Sequence, residues 1–155
     1  MLAVIALVAF AAPVPAQEPK KPPLDLTLAK VEAERWEGRR VFIDCHVVLD
    51  NNTGKELAVR SCFSSAYDAM TIVVRDEKGR LLLQQGVAWH KSPFDFPGRL
   101  FPVPKGENKS KLGVPVELPV EVTRIRVMVY GTLPESGHDD MLLTDVVTAE
   151  ILPRK

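Results

Sequence analysis

The feature that most narrows the folds open to this chain is its proline: 13 residues, scattered along the sequence instead of gathered in one tract. Proline is excluded from helix interiors and central strands but tolerated at sheet edges and in turns. A share about twice the usual one, spread in this way, predicts many short strands joined by many turns. The 155 residues leave room for one domain. A domain of that size buries roughly two thirds of its unfolded surface and needs no disulfide or metal to hold a core.

The strands themselves are legible as alternation. In "LDLTL" Leu24, Leu26 and Leu28 share one side, the mark of a half-buried strand. "RRVFIDCHVVLD" is the clearest case. Val41, Ile43, Cys45, Val47 and Leu49 form one face, and Phe42, Asp44, His46 and Val48 form the other. Between these two runs, "AKVEAERWEG" suits a helical turn or a strand extension closed by Gly38 about equally. "DNNTGK" supplies turn residues, and "ELAVRSCF" resumes with Leu57, Val59, Ser61 and Phe63 on one side. "MTIVVRDEKGRLLLQQ" reads as a hairpin whose tip is Asp76-Glu77-Lys78-Gly79.

Further on, residues 86–111 are rich in Pro and Gly and predict a long connection with one or two short edge strands. "KLGVPVELP" and "VTRIRVMVYGTL" follow as strands; in the second, Thr123, Ile125, Val127 and Val129 oppose Arg124, Arg126, Met128 and Tyr130. "PESGHDD" reads as a loop and "LLTDVVTAEIL" as one closing strand. Seven to nine short antiparallel strands, with a turn signal about every ten residues, predict an all-β, immunoglobulin-like two-sheet sandwich.

The N-terminus follows other rules. An apolar run from Leu2 to Ala12 breaks at Pro13, and Val14 and Ala16 are the small residues a signal peptidase reads. Residues 1–16 are therefore expected to be a signal peptide, although no Lys or Arg precedes the apolar run. Its 11 residues fall short of the roughly 20 that span a bilayer as a helix. "QEPKKPP", residues 17–23, reads as a proline-rich tether, and residues 24–155 as the folded domain. The expected location is secreted or periplasmic.

Charge narrows the partners. Lys plus Arg and Asp plus Glu each number 20. This balance argues against nucleic acid, which demands a basic excess to neutralise phosphates.

Candidate chemistry is thin. Cys45 and Cys62 invite a disulfide in an exported protein, but alternation puts them on opposite strand faces unless a bulge intervenes at Ser61-Cys62. A nucleophile such as Cys62 or Ser64 needs a base held by a third group. Asp68 and one of His46, His90 or His138 would have to converge on it, and no Gly-x-Ser-x-Gly elbow surrounds a serine. His138, Asp139 and Asp140, or Asp44 with His46, could begin a metal site, but no complete ligand spacing follows. No cofactor is implied. Asn51-Asn52-Thr53 and Asn108-Lys109-Ser110 match the glycosylation sequon and fall in predicted turns.

Four features from residue 52 to 79 form a pattern: Asn52-Thr53-Gly54-Lys55, Phe63-Ser64-Ser65, Tyr67-Asp68 and Asp76-Glu77-Lys78-Gly79. With the later "PVPKGENKSKLGVPV", they resemble the intracellular proteinase inhibitor family over about half of the mature chain. The resemblance implies the sandwich fold and protease inhibition; an export signal departs from that family.

These readings converge on an exported, non-enzymatic module with a protein or peptide partner. Its expected contact residues are Trp89, His90, Phe94 and Phe96, with the 134–140 loop as a second surface. The alternatives are a proteinase inhibitor presenting the 91–104 loop, with its Ser-Pro and Pro-x-Pro elements, and a structural cell-envelope protein.

Overall fold

The computed structural model describes residues 21–60, 70–87, 100–133 and 138–154. Among these there is no helix, and the chain is all-β. Ten strands occur in order: β1 (Leu24–Glu37), β2 (Arg40–Asn51), β3 (Leu57–Arg60), β4 (Met70–Arg75), β5 (Leu81–Val87), β6 (Leu100–Val103), β7 (Gly106–Glu117), β8 (Arg124–Leu133), β9 (His138–Leu143) and β10 (Val147–Pro153). Eight form one strongly curled sheet with the path β5-β4-β8-β10-β1-β2-β7, β9 pairing with β8; β3 and β6 form a separate pair. The outermost strands β5 and β7 approach each other, so the sheet curls into a half-barrel. The expectation of purely antiparallel strands fails at one step, since β10 lies parallel to β1.

The curl encloses one core. Inward residues of β2, β4, β7 and β8, among them Ile43, Ile72, Val114 and Val127, join a single buried cluster, to which Leu57 of β3 and Val103 of β6 also belong. Alternation explains most of it. The segment 29–38 that reads two ways in the sequence is strand, and its ambiguity has a physical cause. In β1 the register with β2 slips between Leu28 and Lys30. Leu24, Leu26 and Leu28 point inward before the slip, and Val31 and Ala33 take over after it. An extra residue in one strand of a pair is a β-bulge, and it reverses the parity of everything beyond it.

The β4–β5 hairpin turns where expected. Gly79 adopts a positive φ of 82° and its N–H donates to the Asp76 carbonyl at 3.0 Å. The Asp76 carboxylate accepts from the Arg80 backbone N–H at 2.9 Å and from its Nε at 2.6 Å.

Several boundaries differ from the sequence reading. The strand expected from Lys111 begins at Gly106, because β2 offers a partner along its whole length, from Arg40 opposite Glu117 to Asn51 opposite Gly106. Residues 138–140 are the start of β9, not loop, Leu133 of β8 standing opposite His138. The single closing strand is two, β9 and β10. Across the gap the Thr144 hydroxyl accepts from the Val129 N–H at 3.0 Å and the Thr144 N–H donates to the Val129 carbonyl at 2.9 Å.

Neither sequon asparagine sits in a turn. Asn51 ends β2 fully buried, its amide donating to the carbonyls of Lys55, Val103 and Pro104 at 2.9, 3.0 and 3.3 Å. It thereby ties the β3–β6 pair to the main sheet. Asn108 lies within β7.

Candidate functional site

The surface with the most unusual composition lies where β1 turns into β2, on the outer face of the sheet. Strand register places Leu152 of β10 opposite Glu34 of β1, Glu34 opposite Phe42 of β2, and Phe42 opposite Pro115 of β7. One step further toward the turn, Arg40 stands opposite both Glu37 and Glu117. Trp36 falls at a second irregularity of the β1–β2 ladder, between Arg35 and Glu37, and its ring stacks on Phe42 at 5.7 Å between centroids and 22° between planes. The Arg154 guanidinium stands 4.2 Å above the Trp36 ring. Trp36 and Phe42 border a shallow cleft of about 330 Å³, whose lining also includes Arg40, Pro115 and Glu117. Trp36 remains 51% exposed and Leu152 56%.

The backbone that supports the row is tightly held. The Arg35 guanidinium donates to the carbonyls of Gly38, Leu118, Pro119 and Val122 at 3.0, 3.3, 3.2 and 2.8 Å. It pins the β1–β2 turn to the segment between β7 and β8. The Arg154 N–H donates to the Arg35 carbonyl at 3.0 Å, placing that side chain over Trp36. Phe42 also owes its position to Gly113. A Cβ at residue 113 would stand 3.0 Å from the Phe42 Cζ and 2.9 Å from the Asp44 Oδ1. The ring lies across the glycine on the edge strand, an arrangement that shields the backbone there and stabilises pairing.

Next to the aromatic row lies a charged one. Glu32 accepts from Lys30 Nζ at 2.6 Å and pairs with His46 Nε2 at 2.8 Å. The hydrogen bond from Lys30, reinforced by the one from His46, brings its carboxyl down to about 2. The Asp44 carboxylate accepts from Lys111 Nζ at 2.7 Å, which holds that ammonium above its ordinary value.

This outer face offers stacking, apolar contact and charge, and among the described residues no nucleophile is paired with a base on it. Cys45 is a free thiol on the inner face of β2, where burial and then the Asp44 charge push it up to about 12. A thiol held protonated in this way is inert. His46 is committed to Glu32 and Asp44 to Lys111, so the two do not converge. Among the described residues no group of three or more His, Cys, Asp and Glu is placed to hold a metal ion. No helix among them is long and apolar enough to cross a membrane.

The contact residues expected from the sequence, Trp89, His90, Phe94 and Phe96, lie outside the described residues, as do Cys62, Ser64, Asp68 and residues 1–16 of the expected signal peptide. So does most of the 91–104 segment. Its part from Leu100 to Val103 is strand β6, paired with β3, and not free loop. Sequence reasoning missed Trp36, Leu152 and Arg154. The signal for Phe42 was present, because an aromatic ring shares a strand face with Asp44 and His46. Trp36 was hidden by the parity change of β1.

No family model matches the sequence, and no curated protein matches it. Two solved structures show a similarity to this chain. One is an X-ray structure of a Northeast Structural Genomics Consortium target, 9% identical, with a TM-score of 0.49 over 86% of this chain and 90% of that one. The other is a Bordetella pertussis protein provisionally named ApaA, 14% identical, with a TM-score of 0.48 over 86% of this chain and 98% of that one. At these levels neither likeness carries a functional statement.

Proposed function

We propose that the chain is an exported, non-enzymatic binding domain, secreted or periplasmic, that engages a protein or peptide partner through the outer face at the β1–β2 turn. The observation that carries this reading is the stack of Trp36 on Phe42 beside an open cleft, with Leu152 exposed in the same row. Aromatic anchors in a small cleft with charged residues around them are what interface cores are made of. The inert Cys45 thiol and the committed His46 favour binding over catalysis. The apolar run from Leu2 to Ala12 favours export. We further propose that the two limbs of the curled sheet, β5-β4-β8 and β1-β2-β7, act as the layers of an immunoglobulin-like sandwich around their shared core.

The test is capture of envelope proteins by the processed chain, beside a Trp36→Ala/Phe42→Ala variant. A partner that the double variant loses supports the reading. A partner that it retains moves the surface elsewhere. In that case substitution of 91–104 with a protease assay decides the inhibitor alternative. Intact, unprocessed protein confined to the cytoplasm overturns export.

A further inference from the structure

We propose that the face of Trp36 now covered by Arg154, beside the cleft, receives an arginine or lysine side chain from a basic protein segment, in exchange for Arg154 of the same chain. The proposal rests on the binding-domain reading and names the chemistry of the partner.

The first support is that the contact already exists within the chain. The Arg154 guanidinium stands 4.2 Å above the Trp36 ring, a cation–π geometry. It makes no ion pair among the described residues, and one backbone hydrogen bond, to the Arg35 carbonyl, holds it there. It follows directly on the end of β10 at Pro153. A group held so lightly is exchangeable for another of the same kind.

The second support is charge. Register places Glu34 opposite Phe42, and Glu117 lines the cleft itself. Glu32 and Asp44 of the neighbouring row are already paired, with Lys30 and His46 and with Lys111, and add no free charge. Arg40 is the only cation lining the cleft among the described residues, and it stands between Glu37 and Glu117. The Arg35 guanidinium is taken up by carbonyls. Once Arg154 swings aside, carboxylates prevail around an electron-rich ring, and a cationic side chain fits both.

The third support concerns the mode of contact. β7 is an edge of the sheet, yet it carries Pro115, which has no N–H to offer, and the exposed side chains of Lys109 and Lys111. These are the devices by which edges resist strand addition. Recognition therefore runs through side chains on the sheet face. The lysines also bias a basic segment toward the Trp36 end.

The experiment uses the full processed protein and a capped tetra-arginine peptide, followed by calorimetry. Tryptophan emission is followed in parallel in a Trp89→Phe background, which leaves Trp36 as the sole reporter. The expected result is saturable binding that weakens with salt, is lost in Trp36→Ala, and weakens in Glu117→Gln, which leaves the rings intact. Arg154→Ala should tighten it about two- to five-fold, the size of an exposed cation–π contact. Unchanged or weaker binding in Arg154→Ala overturns the exchange, and equal binding of capped tetraglycine overturns the cationic preference. If tetra-arginine fails to bind while an envelope partner is still captured through Trp36, the cationic inference falls and the binding domain stands. Loss of both removes both.

Discussion

On one side of β2, Val41, Ile43, Cys45, Val47 and Leu49 are each at most 2% exposed; on the other, Phe42, Asp44, His46 and Val48 all keep partial contact with solvent. The same backbone carries both sets, and the same two neighbours, β1 and β7, flank them. The inner set is interchangeable in kind, because any apolar side chain of suitable volume fills that layer. The outer set is particular. Phe42 needs Trp36 and the missing Cβ of Gly113, Asp44 needs Lys111, and His46 needs Glu32. Stability is concentrated on the inner side, and the proposed recognition draws on the outer, which is free to vary without unfolding the domain.

The division breaks if the energetic order below is not observed. Ile43→Ala, in the centre of the core, should cost about 3–4 kcal/mol in urea unfolding, with an unchanged m-value. A loss below about 1 kcal/mol would mean that the inner layer collapses easily and is not close-packed.

Asn51 is the residue at which the two sheets meet. Asn51→Ala leaves its bonded carbonyls short of a donor and should cost about 2 kcal/mol. Amide exchange should then rise first in β3 and β6; uniform loosening instead would show that the amide does not tie the small sheet to the large one.

Gly113→Ala belongs to the outer face and should cost about 1–2 kcal/mol, since Phe42 or Asp44 has to yield. Adding Phe42→Leu should recover part of that loss. A double variant as unstable as the sum of its parts would show that the ring does not lie over the glycine.

The smallest effect is expected at Glu32. Its folded value of about 2 lies below the ordinary 4.5, so its contribution is complete above pH 4.5 and disappears as the pH falls toward 2. Glu32→Gln should flatten the stability profile in that window. An unaltered profile would mean that the Lys30–Glu32–His46 arrangement is not populated in solution.

Much of the fold was legible where local rules suffice. The faces of β2 and β8, the inward leucines at the start of β1 and the hairpin at Gly79 all follow from period two and turn chemistry. The start of β7 at Gly106 was not, because a run as polar as "GENKSK" becomes strand only when β2 is there to pair with it. Likewise His138 begins a strand through its place opposite Leu133. Of the candidate site, Phe42 alone could be suspected in advance.

The sequence by itself determined the class of this protein. Scattered proline, alternation and turn residues act over a few positions, and they leave β-structure as the consistent outcome. The order of the strands, the parallel step from β10 to β1 and the meeting of residues 36, 42 and 154 were decided by tertiary structure alone. Those outcomes depend on register, which a single bulge between Leu28 and Lys30 reverses, and on packing between segments more than a hundred residues apart.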